Sequence, residues 1–182
     1  SADVQIVLGM IREKLGDTAS AGAHFERATK LSPGSGHVLN VYGVWLCQQG
    51  SAAAADAAFL RATTDVYYKM KDQALFNAGK CAMQAGQLDK AEAYLRQGLE
   101  LSPESPALLA RMAELQFRRG NYMSARAFYQ RRESLGQPTP ELLNLAISIE
   151  KAAGDNVAAQ RYLQRLKEQF PEHTYTPPAT EG

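Results

Sequence analysis

The side chains with the widest chemical reach in this sequence are three histidines and two cysteines. His24, His37 and His173 lie far apart, and none stands at metal-ligand spacing from a cysteine, aspartate or glutamate, so they compose no metal site. Among the carboxylates, Glu92 and Glu100 are eight residues apart on an amphipathic stretch, and Glu114 follows Arg111 by three. Solvated helix faces account for them better than general acid and base work does. The motifs GxSxG, HExxH, GxGxxG and GxxxxGK[ST] do not occur. The expectation is therefore a protein without enzymatic activity, cofactor or metal. Cys47 and Cys81 fall inside helical periodicity with apolar neighbours, and read as small buried side chains rather than as redox or metal groups.

Twenty basic against nineteen acidic residues give a net charge of +1, so no nucleic-acid footprint is visible and recognition must rest on local surface shape. No apolar run approaches the roughly 18 residues of a membrane span. The opening SADVQIVLGM has neither a basic start nor a small-residue cleavage site, so it does not read as a signal peptide.

Helices must position whatever site exists. Between Ala74 and Pro103, Leu75, Ala78, Gly79 and Ala82 fall at helical spacing, Gly86 interrupts, and Leu88, Ala91, Leu95 and Leu99 resume the period. The small residues Gly79 and Ala91 allow close approach of two helices, which predicts an antiparallel helical hairpin. One hairpin cannot bury its own apolar faces, and the chain repeats it. Glycines return at Gly16, Gly50, Gly86, Gly120 and Gly154, and alanines at Ala21, Ala55, Ala91, Ala125 and Ala159, both in steps of 34, 36, 34 and 34. A large residue returns at Phe25, Phe59, Leu95, Tyr129 and Leu163, a small one at Gly9, Gly43, Gly79 and Ala113, and a closing proline at Pro33, Pro103 and Pro171.

This period and order resemble the tetratricopeptide repeat. The resemblance implies an all-α fold, a right-handed superhelical solenoid forming one domain over 1–173, with repeats at about 2–35, 36–71, 72–105, 106–139 and 140–173. The proline-rich, polar end 174–182 reads as a disordered tail. Two extra residues in TTDVYYKMKDQ predict a prolonged helix or an irregular loop, with Tyr67 and Tyr68 either exposed for contact or packed beneath it. No polar capping helix follows the last repeat, so its apolar face calls for a short cap, a partner or a second copy.

In stacked hairpins of this type the first helix of each repeat lines a concave wall, the default binding surface. The inward-facing positions are Ile6, Val7, Met10, Asn40, Val41, Val44, Phe76, Asn77, Lys80, Met83, Arg111, Glu114, Phe117 and Asn144, with Cys47 and Ser148 on the same rows. Val7, Val41 and Phe76 suit core and groove equally. Asn40, Asn77 and Asn144 suit a solvated or groove-facing place, because a buried amide needs partners. The apolar content of the first three copies, with asparagines able to bond a peptide backbone, fits an extended or helical protein segment with an apolar face.

The runs VLNVYGVWLCQQG, FNAGKCAMQAGQLDKAEAYLRQGLELSP and LLARMAELQFRRGNYMSARAFYQR, with PTPELLNLAISIEKAAGDNVAAQRYLQRLKEQFP near the end, resemble the type IV pilus biogenesis and stability family, the PilF/PilW-type pilotins. That resemblance implies an outer-membrane lipoprotein on the periplasmic face, which helps the pilus secretin reach the membrane and multimerise. The family generally has six repeats and an acylated N-terminal cysteine, whereas this sequence shows five repeats and no such cysteine, so membrane attachment through a lipid anchor lies outside it. A general peptide-binding scaffold of a cytoplasmic chaperone or regulatory complex is the alternative.

Overall fold

The computed structural model describes residues 1–178. Within them the chain forms ten helices and no strand: α1 (Ala2–Lys14), α2 (Thr18–Leu31), α3 (Gly36–Gln48), α4 (Ala52–Thr64), α5 (Lys71–Gln84), α6 (Leu88–Leu101), α7 (Pro106–Arg118), α8 (Tyr122–Glu133), α9 (Pro140–Ala152) and α10 (Asn156–Gln169). Consecutive odd and even helices pair as five hairpins. The chain divides into two compact units, Ser1–Ser102 with three hairpins and a second from Pro103 onward with two.

Each hairpin turn follows from its glycine. Gly50 has φ +75° and Gly154 φ +81°, the left-handed conformation that side chains resist. That conformation folds the chain so that the Gly50 N–H reaches the Cys47 carbonyl (3.0 Å) and the Ser51 N–H the Leu46 carbonyl (2.9 Å), satisfying the last carbonyls of α3. The same pair of bonds closes α9 at Gly154 and Asp155. Helix starts are set by side-chain caps at Ser1, Asp17, Ser35, Ser105, Thr139 and Asp155, with Pro106 and Pro140 in the first turns of α7 and α9.

The small repeat positions are close-approach points. A Cβ added at Gly79 would lie 2.7 Å from Cγ and Cδ2 of Leu95, and one at Gly43 would lie 2.7 Å from the Phe59 ring. Gly79→Leu is therefore expected to lower stability by about 1–3 kcal/mol through overpacking, seen as a lower urea midpoint. An unchanged midpoint contradicts the helix crossing.

Leu46, Ala55, Phe59, Leu75, Ala78, Cys81 and Tyr94 form a core cluster of the first unit, and Ala113, Ala125, Tyr129, Leu145, Ala146 and Ile149 one of the second. Cys47 and Cys81 are not two unreactive side chains as expected from their apolar surroundings: they form a disulfide joining α3 to α5, with Cα atoms 5.9 Å apart.

The two extra residues form an irregular loop between α4 and α5 rather than a longer helix. Asp65 pins that loop, accepting from the Gly36 N–H (2.7 Å) at the start of α3 and from the Tyr67 N–H (2.9 Å). These bonds, the one from Gly36 first, hold its carboxyl below the ordinary carboxylate value. Tyr68 is buried beside Gly36, whereas Tyr67 is 86% exposed. At the other end, Tyr175 and Thr176 of the stretch expected to be a disordered tail lie against α9, and 179–182 lie outside the described residues.

Candidate protein-binding site

Helices α3 and α5 lie side by side in the first unit, and the bonds between them show how the expected inward positions are used. Asn77 donates through Nδ2 to Oδ1 of Asn40 (3.0 Å), and Gln73 donates to Oδ1 of Asn77 (3.3 Å). Asn40 is thus buried, not solvated or groove-facing as expected, because the neighbouring repeat supplies the partner its amide needs. Asn77 remains half-buried.

Towards the turns, α3 and α5 border a hollow of about 340 Å³ lined by Val44, Cys47, Gln48, Asn77, Lys80, Cys81 and Gln84. The disulfide forms part of its wall and fixes the distance between the two helices there. The surface offers a methyl-bearing side, three amides and an exposed ammonium, which suits a peptide segment with mixed apolar and carbonyl groups. On α1, Val7 and Met10 are 54% and 47% exposed.

Other expected groove residues serve the core. Ile6 is buried with Ala2, Ala28 and Val38, and Val41 packs on the same cluster. Met83 is 2% exposed, so it presents no groove surface. Phe76 is half-buried. The reason is common to all four: on a first helix the rows facing the paired second helix and the flanking repeats are separated from the open row by a single residue step.

In the second unit, Arg111 Nη1 and Arg118 Nη2 both donate to Glu114, at 2.5 and 2.8 Å, so this one carboxylate on α7 is held by two guanidinium groups. Phe117 is half-buried against the Ala113–Tyr129 cluster, with the Tyr122 ring 5.9 Å away. Asn144 is half-buried and accepts from the Thr176 N–H (3.4 Å), while Ser148 is buried and close to Tyr175. The tail therefore stands on the α9 row that includes these two positions.

Three features had not been expected from the sequence. Cys47 and Cys81 did carry a signal, since they fall on neighbouring first helices, three residues before Gly50 and five before Gly86. Tyr175 and Lys151 carried none, because Tyr175 lies beyond the last period. Glu150, buried in α9 and held by a two-pronged ion pair from Arg126 of α8, is equally silent in the sequence. Among the described residues no group of three or more His, Cys, Asp or Glu side chains could hold a metal ion. No helix among them is long and apolar enough to cross a membrane.

Tetratricopeptide repeat patterns match residues 2–35, 46–106, 82–149 and 142–173. The chain is 26% identical over 171 residues to the type IV pilus assembly protein PilF of Pseudomonas aeruginosa, covering 94% of this chain and 68% of that protein. Among solved structures it is similar to PilW, described as a widely conserved type IV pilus biogenesis factor, with a TM-score of 0.88, 28% identity, and 95% and 80% of the two chains covered. The Pseudomonas aeruginosa PilF structure superposes with a TM-score of 0.81 at 25% identity, covering 95% and 78%. Repeat period, hairpin geometry and these likenesses agree: the chain belongs to the tetratricopeptide repeat family, and within it is similar to type IV pilus biogenesis proteins.

Proposed function

We propose that this protein is a non-enzymatic adaptor of type IV pilus assembly, acting as a pilotin: it binds a segment of the outer-membrane secretin subunit on its first helices and promotes the secretin's targeting and multimerisation. The observation that carries the reading is the joint one of similarity to PilF and PilW over almost the whole chain and an open, mixed hollow between α3 and α5. The residues assigned to contact are Val7, Met10, Val44, Asn77 and Lys80. The Cys47–Cys81 disulfide supports the periplasmic face of the outer membrane as the place of action, since such bonds persist in oxidising compartments and are rare in the cytosol. The same bond argues against a cytoplasmic chaperone scaffold.

Titration of labelled secretin fragments against the chain, read by anisotropy, tests the assignment. Met10→Glu and Lys80→Glu, both at exposed positions, are each expected to weaken binding about tenfold or more, roughly 1.4 kcal/mol, with unchanged helicity. Charge reversal at Met83 is not a clean probe, because that side chain is buried. Failure of every fragment to bind removes the secretin as partner.

A further inference from the structure

The end of the chain behaves as a ligand of its own last repeat. Tyr175 lies against the buried cluster of Leu143, Ile147 and Leu166. Its hydroxyl is 3.1 Å from Oγ of Ser148. Ser148 already gives its proton to the Asn144 carbonyl (2.8 Å), so Tyr175 must be the donor. Lys151 Nζ stands 4.2 Å from the centre of the Tyr175 ring, within cation–π range. The next residue, Thr176, gives its backbone N–H to Oδ1 of Asn144 (3.4 Å). Floor, hydroxyl acceptor, cation over the ring and backbone acceptor together read a tyrosine followed by a residue that is not proline.

The position of this seat in the repeat says why it is there. Asn144, Ser148 and Lys151 precede Gly154 by ten, six and three residues, as Asn40, Val44 and Cys47 precede Gly50. In the first unit that row meets the following first helix, Asn40 bonding Asn77 and Cys47 bonding Cys81. On α9 the same row is covered by an extended segment whose contacts come mainly from one half-buried ring and one backbone amide.

We propose that the Asn144–Ser148–Lys151 row is a peptide-binding seat for an extended, tyrosine-bearing segment of a partner protein, and that the chain's own Tyr175 segment is its resident competitor. The seat is separate from the α3–α5 hollow, and the proposal stands or falls without the secretin assignment. It needs an occupant that can enter without a helix, because the seat reads one backbone N–H and one phenol rather than a helical face.

The test uses the full chain and a fluorescein-labelled synthetic peptide of residues 172–178, EHTYTPP. Tyr175→Ala empties the seat in cis, and saturable binding of the peptide is expected to be about tenfold or more tighter than to the unaltered chain. Adding Lys151→Ala, or replacing the peptide's tyrosine by alanine, is expected to lower that affinity about tenfold. Thr176→Pro, which removes the N–H given to Asn144 but keeps the ring, opens the seat more gently and serves if Tyr175→Ala does not fold. A folded Tyr175→Ala or Thr176→Pro chain that binds the peptide no better than the unaltered one overturns the proposal. So does a tail-exchanged dimer of the unaltered chain in light scattering, which would make the occupant a second copy.

Discussion

Replacing Cys47 and Cys81 together with alanine is expected to lower the unfolding free energy of the first unit by about 3–4 kcal/mol, the loop-closure entropy regained by an unfolded chain freed of a cross-link between residues 34 apart. The bond joins two first helices from successive hairpins, so it restrains a contact between repeats, which in a solenoid is carried only by nearest neighbours. Urea denaturation of the chain with and without dithiothreitol measures the effect, and the double variant should be insensitive to the reductant. Curves that superpose under both conditions would show that the cross-link adds nothing to stability. The loss also reaches the proposed function: without the bond nothing covalent holds the spacing of Val44 and Lys80 across the hollow, so secretin-fragment affinity should fall along with stability.

The second large effect is expected at Arg126. Its guanidinium holds both oxygens of Glu150 and lies 3.8 Å from Asp155, while the Glu150 side chain is only 7% exposed. Arg126→Met leaves that carboxylate buried without its counter-ion. Removing one partner of a fully buried pair costs about 3–5 kcal/mol; because Arg126 is itself 24% exposed and water can reach the vacated place, about 2–4 kcal/mol is expected here. The double change Arg126→Met with Glu150→Leu should recover most of the loss, since an apolar pair of similar size no longer strands a charge. Chemical denaturation of both variants decides the matter: equal destabilisation by single and double changes would place the cost in lost side-chain packing rather than in the uncompensated carboxylate.

The hydroxyls around this pair point the same way. Tyr162 packs edge-on against Tyr129 with ring centres 5.5 Å apart and gives its proton to Glu133 (3.2 Å). Burial first, and the carboxylate of Glu133 second, push the Tyr162 phenol up to about 12, and burial likewise raises Tyr129. Both phenols therefore stay neutral at any physiological pH.

What the sequence determined by itself was the repeat. Turn glycines at 34- and 36-residue steps, small residues at helix crossings and prolines after the second helices specify hairpins through local rules: a left-handed turn residue, a closest approach, a missing N–H. Those rules hold whatever stands nearby, so ten helices could be read without coordinates. The direction of each side chain within the frame was less legible. Val7 and Ile6 differ by one step around a helix, and only the neighbouring elements determine that the first is open and the second covered.

Tertiary structure alone decided the pairings. Asn40 is buried because Asn77 reaches it, Cys47 is bonded because Cys81 faces it, Glu150 is tolerated because Arg126 of the preceding helix arrives, and the tail has a place because α9 offers an unoccupied row. Each is a relation between two positions at least 24 residues apart, and a polar or sulfur side chain takes its role from the group opposite it rather than from its own place in a period.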